Sequence, residues 1–134
     1  MSGVSYRVSP AITNDELNVL FGASWPRHAS SDFQPILRRS LLYVCAYSRA
    51  RLVGFVNVAW DGGIHGFILD TTVHPDVRRQ GIGSALVRRA AEAARERGIG
   101  WLHVDFEPHL RDFYRQCGFS STEAGLMDLA GEHP

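Results

Sequence analysis

One short segment of the sequence, VHPDVRRQGIGS at residues 73–84, combines glycines with side chains that bind anions. Gly81 and Gly83 have no β-carbon, so they let the backbone come close to a ligand. Where a helix follows such a turn, the N–H groups of its first turn and its dipole favour a bound phosphate. Residues 78–80 supply further donors at the rim. The segment therefore predicts an anion-binding loop, with a simple strand-to-helix turn as the alternative.

Two common nucleotide-binding motifs are absent from this segment. A dinucleotide fingerprint needs three glycines in the order G-x-G-x-x-G, and a P-loop needs G-K-S or G-K-T after its glycines. The sequence GIGSAL at residues 81–86 satisfies neither pattern. The loop is therefore not expected to bind a dinucleotide or a nucleoside triphosphate in either of these ways.

The loop needs a strand before it and a helix after it, and the sequence predicts both. Residues 65–73 form a strand candidate that His74-Pro75 ends. From Gly81 to Arg97, apolar residues recur at spacings of three and four, as on the buried face of an amphipathic helix. Gly98 is well placed to end this helix.

The remaining elements complete a sheet with helices on both faces. Turns at residues 48–51 and 61–63 predict antiparallel hairpins. We expect an α/β (α+β) fold with a mixed, mostly antiparallel twisted sheet. The further strands are expected at residues 6–8, 41–47, 52–60, 101–106 and 120–129, and the further helices at 13–25, 30–39 and 110–117.

Length and composition limit the class of protein. The 134 residues fit a single domain, 1–134. Fourteen Lys and Arg balance fourteen Asp and Glu, so no net charge draws the chain to nucleic acid or to an anionic membrane. Without a signal sequence or a long apolar run, we expect a cytoplasmic protein. Cys45 and Cys117 lack zinc-ligand spacing, which argues against a disulfide scaffold or a metal site.

Residues 73–87, V-x-P-x-x-R-R-Q-G-I-G-S-A-L-V, resemble the acetyl-CoA-binding motif of the GCN5-related N-acetyltransferase (GNAT) family. The core of that motif, R/Q-x-x-G-x-G/A, is matched by Arg78, Gly81 and Gly83. A second family signature, F-Y-x-x-x-G-F, follows as FYRQCGF at residues 113–119. Two motifs in the order that the family has them are far more specific than either alone. The resemblance covers residues 41–119 and implies a GNAT-like sheet with splayed central strands.

The resemblance implies that the backbone holds acetyl-CoA, the cosubstrate of the family, and it implies no metal. Val73 would pair its main chain with the pantetheine arm. The Thr71 amide would polarise the thioester carbonyl where its strand splays from the next one. An amide so placed is worth about 3–4 kcal/mol in other oxyanion sites. The pyrophosphate of coenzyme A would be cradled by the backbone amides of Arg78, Arg79, Gln80, Gly81, Ile82, Gly83 and Ser84.

Tyr114 matches the family tyrosine that donates a proton to the departing thiolate of coenzyme A. A phenol is chemically suited to protonating a thiolate leaving group. The structural alternative is that Tyr114 is only an amphipathic core residue. Core packing is what we expect for its neighbour, Phe113.

The general base is not evident in the sequence. In many members of the family, an acidic or histidine side chain four or six residues before the strand-end valine takes the amine proton. Leu69 and Phe67 stand at those positions, and neither can accept a proton. His65 and Asp70 lie off the pattern, and simple alternation turns Asp70 to the opposite face of the strand. Another group, or a chain of waters to solvent, must therefore take the proton.

Glu107 departs from the family pattern, since Asn is common seven residues before the tyrosine. Strand alternation places His103 and Asp105 on one face, behind Glu107. A carboxylate at Glu107 could accept a proton from an ammonium substrate or could pair with it. The alternatives are a solvated strand end for Glu107 and an ion pair or helix cap for Asp105.

Trp25, His28, Phe33 and Trp60 are candidates for lining the acceptor pocket, although aromatic residues also serve as core or dimer contacts. The sequence thus predicts an acetyl-CoA-dependent N-acetyltransferase that acetylates a primary amine of a small molecule by direct attack. Its assembly, with a homodimer as one option, stays open. The alternatives are a non-catalytic acyl-CoA-binding or regulatory module, motivated by the missing base, and a peptide or protein N-acetyltransferase.

Overall fold

A five-stranded mixed sheet organises the chain, and the structure, a computed structural model, describes residues 3–131. These residues form two compact units, 3–104 and 105–131. Short 3₁₀ helices lie at Pro75–Val77 and Pro108–Leu110. In chain order the main elements are β1 Val4–Val8, α1 Asn14–Ser24, α2 Gln34–Arg39, β2 Leu42–Ser48, β3 Arg51–Trp60, β4 His65–Val73, α3 Ile82–Glu96, β5 Trp101–His103 and α4 Arg111–Gln116.

The strands lie in the order β1-β2-β3-β4-β5, and all neighbours are antiparallel except β4 and β5, which are parallel. This topology confirms the predicted mixed, mostly antiparallel sheet. Two parallel neighbours need a long crossover connection, and α3 provides it between β4 and β5. The loop before α3 is therefore located at one end of β4 by the topology itself.

Two adjacent residues of β3, Gly54 and Phe55, show that helices cover both faces of the sheet. Side chains alternate along a strand, so these residues face opposite ways. The Phe55 ring meets Phe21 of α1 edge-on, with 5.8 Å between centroids. A β-carbon at Gly54 would instead lie 2.9 Å from Leu86 Cδ1 of α3. Hence α1 packs on one face and α3 on the other, as predicted.

The two principal helices have clear sequence causes. At the start of α1, Thr13 Oγ1 accepts the Glu16 N–H at 3.1 Å and Glu16 Oε1 accepts the Thr13 N–H at 3.0 Å, which is a capping box. The fifteen residues of α3 bury one apolar face, which includes Leu86 and Ala90, and expose a charged one. Among the described residues, no helix combines the length and apolar character needed to cross a bilayer.

The second helix is shorter than predicted, because α2 begins at Gln34 rather than near residue 30. Side chains of α1 hold the preceding backbone in a non-helical course. Asn18 Oδ1 accepts the Ser31 N–H at 2.9 Å, and Asn14 Oδ1 accepts the Phe33 N–H at 2.9 Å. These bonds attach residues 31 and 33 to α1, so contacts outside the segment decide where α2 begins.

Two predicted strand regions were wrong. The strand predicted at 101–106 ends at His103, where its ladder with β4 also ends. The strand predicted at 120–129 is not formed within the described part of the chain, and Leu126, Met127 and Leu129 are exposed there. Apolar alternation favours a strand only where a neighbouring edge supplies backbone hydrogen bonds. This condition cannot be read from the segment itself.

The close approach of α3 to the sheet makes a prediction at Gly54. In Gly54→Val, the new side chain would overlap Leu86 Cδ1 and crowd Ile82 Cγ2, which lies 3.2 Å from the position of a β-carbon. We expect overpacking to lower the free energy of unfolding by about 1–3 kcal/mol, measured by urea denaturation. The control is Gly22→Ala on the exposed side of α1, where a β-carbon would have ordinary contacts and should not destabilise. Equal stability of Gly54→Val and the wild type would contradict this account of the packing.

Candidate active site

The predicted anion-binding loop lies between β4 and α3. Arg79 and Gly81 have left-handed backbones, with φ of +66° and +78°. Gly81 is the N-cap of α3, and apart from its chain neighbours no atom of the described residues lies within 4 Å of where its β-carbon would be. The side chains at residues 78–80 are exposed beside it. The loop thus presents its backbone to open space at the N-terminus of a fifteen-residue helix, where an anion is favoured.

A buried histidine, His74, anchors the start of this loop to β3. Its Nδ1 accepts the Asp76 N–H at 3.1 Å, and its Nε2 lies 2.6 Å from Arg51 Nη2. Its backbone N–H donates to the Val53 carbonyl at 2.8 Å. Sequence patterns identified His74 only as part of the strand end. A sequence signal for this role does exist, because a side chain that accepts a hydrogen bond from the backbone N–H two residues later is common in turns.

The strands β4 and β5 pair over a short distance only. Their parallel ladder contains three residue pairs and ends at Phe67 and His103, while β4 runs on to Val73. Pairing between the two strands therefore stops at Phe67, well before the end of β4. Thr71, the residue predicted to act through its amide, lies on β4 beyond the end of the ladder.

A β-bulge interrupts the second half of β4. Asn57 of β3 is in register with Leu69 and Phe55 with Thr72, so β4 has one extra residue between these pairs. Within this stretch Asp70 has a left-handed φ of +59°. Regular alternation, on which the predicted face of Asp70 was based, is interrupted at this bulge.

The backbone of Asp70 is strained, because a left-handed conformation is unfavourable for a residue other than glycine. Thr72 Oγ1 donates to the Asp70 carbonyl oxygen at 2.9 Å and holds this turn. The side chain keeps access to solvent, yet surrounding protein desolvates the carboxyl and raises the pKa of Asp70. Bulges and strained residues are frequent next to active sites, and this one immediately precedes Thr71.

In the second unit, Tyr114 lies in an aromatic cluster. Its buried ring stacks on Phe106 with 5.1 Å between centroids and meets Phe113 and Phe119 edge-on at 4.9 Å and 5.8 Å. Gly118, with φ of +108°, follows α4, and the Phe119 N–H donates to the Tyr114 carbonyl at 3.1 Å. The signature FYRQCGF is therefore a helix end, a left-handed glycine and a returning aromatic that fix the tyrosine ring.

Glu107 does not continue the strand that contains His103. Glu107 is exposed and directly precedes a short 3₁₀ helix, and Asp105 is exposed in a stretch without regular structure. The prediction that His103 and Asp105 share one strand face behind Glu107 was therefore wrong. His103 instead contacts β4, where it meets His65 and the ring of Phe67.

Three of the four aromatic candidates for the acceptor pocket cluster around the segment that follows α1. Trp25 stacks on Phe21 with 4.5 Å between centroids, and His28 stacks on Phe33 at 6.1 Å. Trp25 and His28 also line an open concavity of this segment. Trp60 lies apart from them, exposed at the end of β3.

The sequence profile of the Acetyltransferase (GNAT) family matches residues 11–119. Over 92% of its length, the chain is 30% identical to GCN5-related N-acetyltransferase 1, chloroplastic, of Arabidopsis thaliana, and it covers 64% of that protein. Over 46% of its length, it is 39% identical to glucosamine 6-phosphate N-acetyltransferase 1 of Oryza sativa subsp. japonica, and it covers 38% of that protein. The chain thus spans less than two thirds of the length of these relatives.

Solved structures of acetyltransferases share the fold over nearly the whole chain. An acetyltransferase of Trypanosoma brucei superposes with a TM-score of 0.78 at 22% identity, covering 94% of this chain and 99% of that one. An aminoglycoside N-acetyltransferase in complex with CoA superposes with a TM-score of 0.75 at 16% identity, covering 93% of each chain. Identities this low show the fold alone. Because the family profile matches most of the chain and the fold agrees with it, the chain belongs to the acetyltransferase (GNAT) family.

Proposed function

We propose that the protein transfers an acetyl group from acetyl-CoA directly to the primary amine of a small molecule. The observation that carries this proposal is the order of three features along the chain. Strand β4 contains a bulge and continues past the end of β5, a loop with left-handed residues follows, and the long helix α3 comes next. The first family motif occupies this loop and helix start. A structural neighbour and a sequence relative, named for an aminoglycoside and for glucosamine 6-phosphate, support small-molecule acceptors.

The loop suits the pyrophosphate of coenzyme A because it offers backbone N–H groups at its glycines and exposed donor side chains at its rim. The open approach to Gly81 leaves room for a ligand that a β-carbon would obstruct. Ile82 is buried, so it can contribute only through its backbone. The residues that we assign to this contact are Arg78, Arg79, Gln80, Gly81, Ile82, Gly83 and Ser84.

The second half of β4 would hold the reactive end of the cosubstrate. Val73 would pair through its main chain with the pantetheine arm, and the Thr71 N–H would point at the thioester oxygen. Negative charge develops on that oxygen as the amine attacks. A donor fixed in place beforehand stabilises this charge by about 3–4 kcal/mol. The bulge at Asp70 supports this assignment, because a bulge re-aims the peptide groups beside it.

Tyr114 would donate the proton that the departing thiolate needs, and its aromatic neighbours hold the ring in one orientation. The transfer needs no acyl-enzyme, since the C–N bond can form while the C–S bond breaks. Cys45 is unsuited to act as a nucleophile. Burial raises the pKa of its thiol to about 12, so its thiolate is scarce at neutral pH.

Glu107 is assigned to the ammonium group of the acceptor, with which its exposed carboxylate would pair. An exposed ion pair contributes up to about 1 kcal/mol, which suits substrate affinity better than a large rate effect. We place the reaction in the cytoplasm, without a nucleic acid or membrane partner. A homodimer is the assembly to test in solution.

Release of free coenzyme A, followed with a thiol reagent, tests the proposed activity. We expect amine-dependent release with at least one member of a panel of amino sugars, aminoglycosides, polyamines and amino acids. Release with peptides alone would contradict a small-molecule acceptor. Calorimetric binding of acetyl-CoA without release by any amine would favour the non-catalytic module instead.

A second experiment tests the cosubstrate loop. Gly83 lies in the first turn of α3 and has no positive φ, so Gly83→Val adds bulk without backbone strain. We expect the variant to stay folded, by circular dichroism, and to lose measurable acetyl-CoA binding in calorimetric titration. Ala91→Val, in the middle of the same helix, is the control that should bind normally. Unchanged affinity in Gly83→Val would show that the loop is only a turn.

A third experiment tests Tyr114. Tyr114→Phe keeps the ring that stacks on Phe106 and removes only the hydroxyl. We expect kcat to fall by about 10–1,000-fold, as for loss of a general acid, with acetyl-CoA affinity nearly unchanged. Tyr43→Phe is the matched control, since that hydroxyl donates to the Pro10 carbonyl at 2.6 Å and should affect stability alone. A kcat within twofold of the wild type would reassign Tyr114 to a structural role.

A further inference from the structure

Two histidines from neighbouring strands form a pair at the end of the β4–β5 ladder. His65 Nδ1 and His103 Nε2 lie 2.8 Å apart, and the ring centroids are 5.0 Å apart. At this distance one ring donates an N–H and the other accepts it, so at least one ring is neutral. Thirty-eight positions separate the two residues in the chain, so the pair exists only in the folded protein.

The pair stands where the pairing between the two strands ends. His103 belongs to the last residue pair of the ladder, opposite Phe67, and its ring stacks on Phe67 with 4.8 Å between centroids. His65 and Phe67 share this face of the sheet, whereas Gly66 between them faces packed side chains on the other. Beyond Phe67, β4 continues through the bulge towards Thr71.

The distance between the histidine pair and Thr71, at the proposed reaction centre, suits a proton transfer through water. A regular strand advances about 3.3 Å per residue and the bulge shortens this rise, so Phe67 and Thr71 lie at most about 13 Å apart along β4. This distance accommodates the amine of an acceptor and one or two bridging waters. His103 is exposed and His65 half-buried, so a proton taken up by the pair can leave to solvent.

We propose that the His103–His65 pair is the general base that deprotonates the acceptor. This inference rests on the proposed acetyl transfer and assigns the proton acceptor that the apolar Leu69 and Phe67 cannot provide. Imidazole is the side chain suited to proton exchange near neutral pH. The neutral pair takes the ammonium proton through water at His103, and the imidazolium then shares its N–H with His65, which stabilises the charge.

The remaining steps balance the reaction. The lone pair of the neutral amine forms the C–N bond at the acetyl carbon, while the C–S bond breaks and its electrons leave with the thiolate. Tyr114 gives its hydroxyl proton to the thiolate, and the second amine proton restores that hydroxyl. The pair then releases the first proton to solvent.

Asp61, in the turn between β3 and β4, is the charged group beside the pair. Its Oδ1 accepts the His65 backbone N–H at 3.3 Å. The hydrogen bond from the Gly63 N–H lowers the pKa of Asp61, and the adjacent His65 adds to this effect. Asp61 therefore stays a carboxylate beside the His65 backbone. The other charged residues on elements that contact β4 or β5 are Arg51 on β3, Asp70 on β4, Asp15 and Glu16 on α1, and those on the exposed face of α3.

The pH profile of kcat/KM tests the pair, with the most active amine of the panel as substrate. Activity needs a neutral acceptor nitrogen on the pair, so the wild type should lose activity as the pH falls below neutral. His103→Phe keeps a ring to stack on Phe67 but cannot take a proton. We expect kcat/KM to fall by about 100-fold and the neutral limb to give way to one that follows the free amine at alkaline pH.

Two further variants separate the pair from its surroundings. His109→Phe removes an exposed histidine outside the pair and should leave the rate and the pH profile unchanged. Glu107→Gln should raise KM and keep both kcat and the neutral limb, as expected for loss of ion pairing. Loss of the neutral limb in Glu107→Gln would move the base to Glu107 and overturn the proposal.

The outcomes distinguish the two proposals. If the wild type turns over and His103→Phe keeps both its rate and its neutral limb, the histidine proposal fails and the acetyl transfer stands. If the wild type releases no coenzyme A with any amine, both fail. Histidine NMR gives a readout that needs no substrate, because a proton shared between the two rings makes the signals of His65 depend on His103. Independent titration of His65, unchanged in His103→Phe, would also overturn the pair.

Discussion

The candidate site depends on one constraint, the length of β5. A parallel ladder of three residue pairs ends at Phe67 and His103, although β4 continues to Val73. Backbone N–H and C=O groups must find hydrogen-bond partners, and a longer β5 would close this edge of β4 with its own backbone. The short strand leaves the edge to other groups. The residues of β4 beyond Phe67, Thr71 and Val73 among them, thus lie outside the ladder with β5.

The second requirement is that the N-terminal end of α3, the proposed phosphate site, stays in place relative to β4. Ile82, the first residue of the helix, is buried and packs near Gly54 of the central strand. His74 secures the other end of the loop by bonds to Arg51 and to the backbone of Asp76. Strong packing on one side and a hydrogen-bonded anchor on the other allow the loop between them to keep its left-handed backbone. A strained backbone conformation in a loop persists only where the surrounding structure holds it in place.

Local sequence signals predicted the elements of the first unit well. The predictions failed where contacts between distant parts of the chain decide the structure. The bounds of β4 were predicted to the residue, because a glycine turn precedes it and His74-Pro75 follows it. The capping box of α1 was equally visible, since Thr13 and Glu16 are three residues apart. The prediction of a strand at 120–129 failed because apolar alternation does not show which strand edge the segment would pair with.

The sequence by itself determined the residues that could hold an anion and their order: a strand, a glycine-containing loop, a helix, and later an aromatic signature that ends in Gly118-Phe119. Each of these features depends on backbone conformations that are set by residues next to it in the chain. The tertiary structure alone decided the left-handed Asp70 and the contact between His65 and His103. The physical reason is register. A shift of one residue between paired strands reverses every side chain, and that register is selected by packing across the whole sheet rather than by residue spacing.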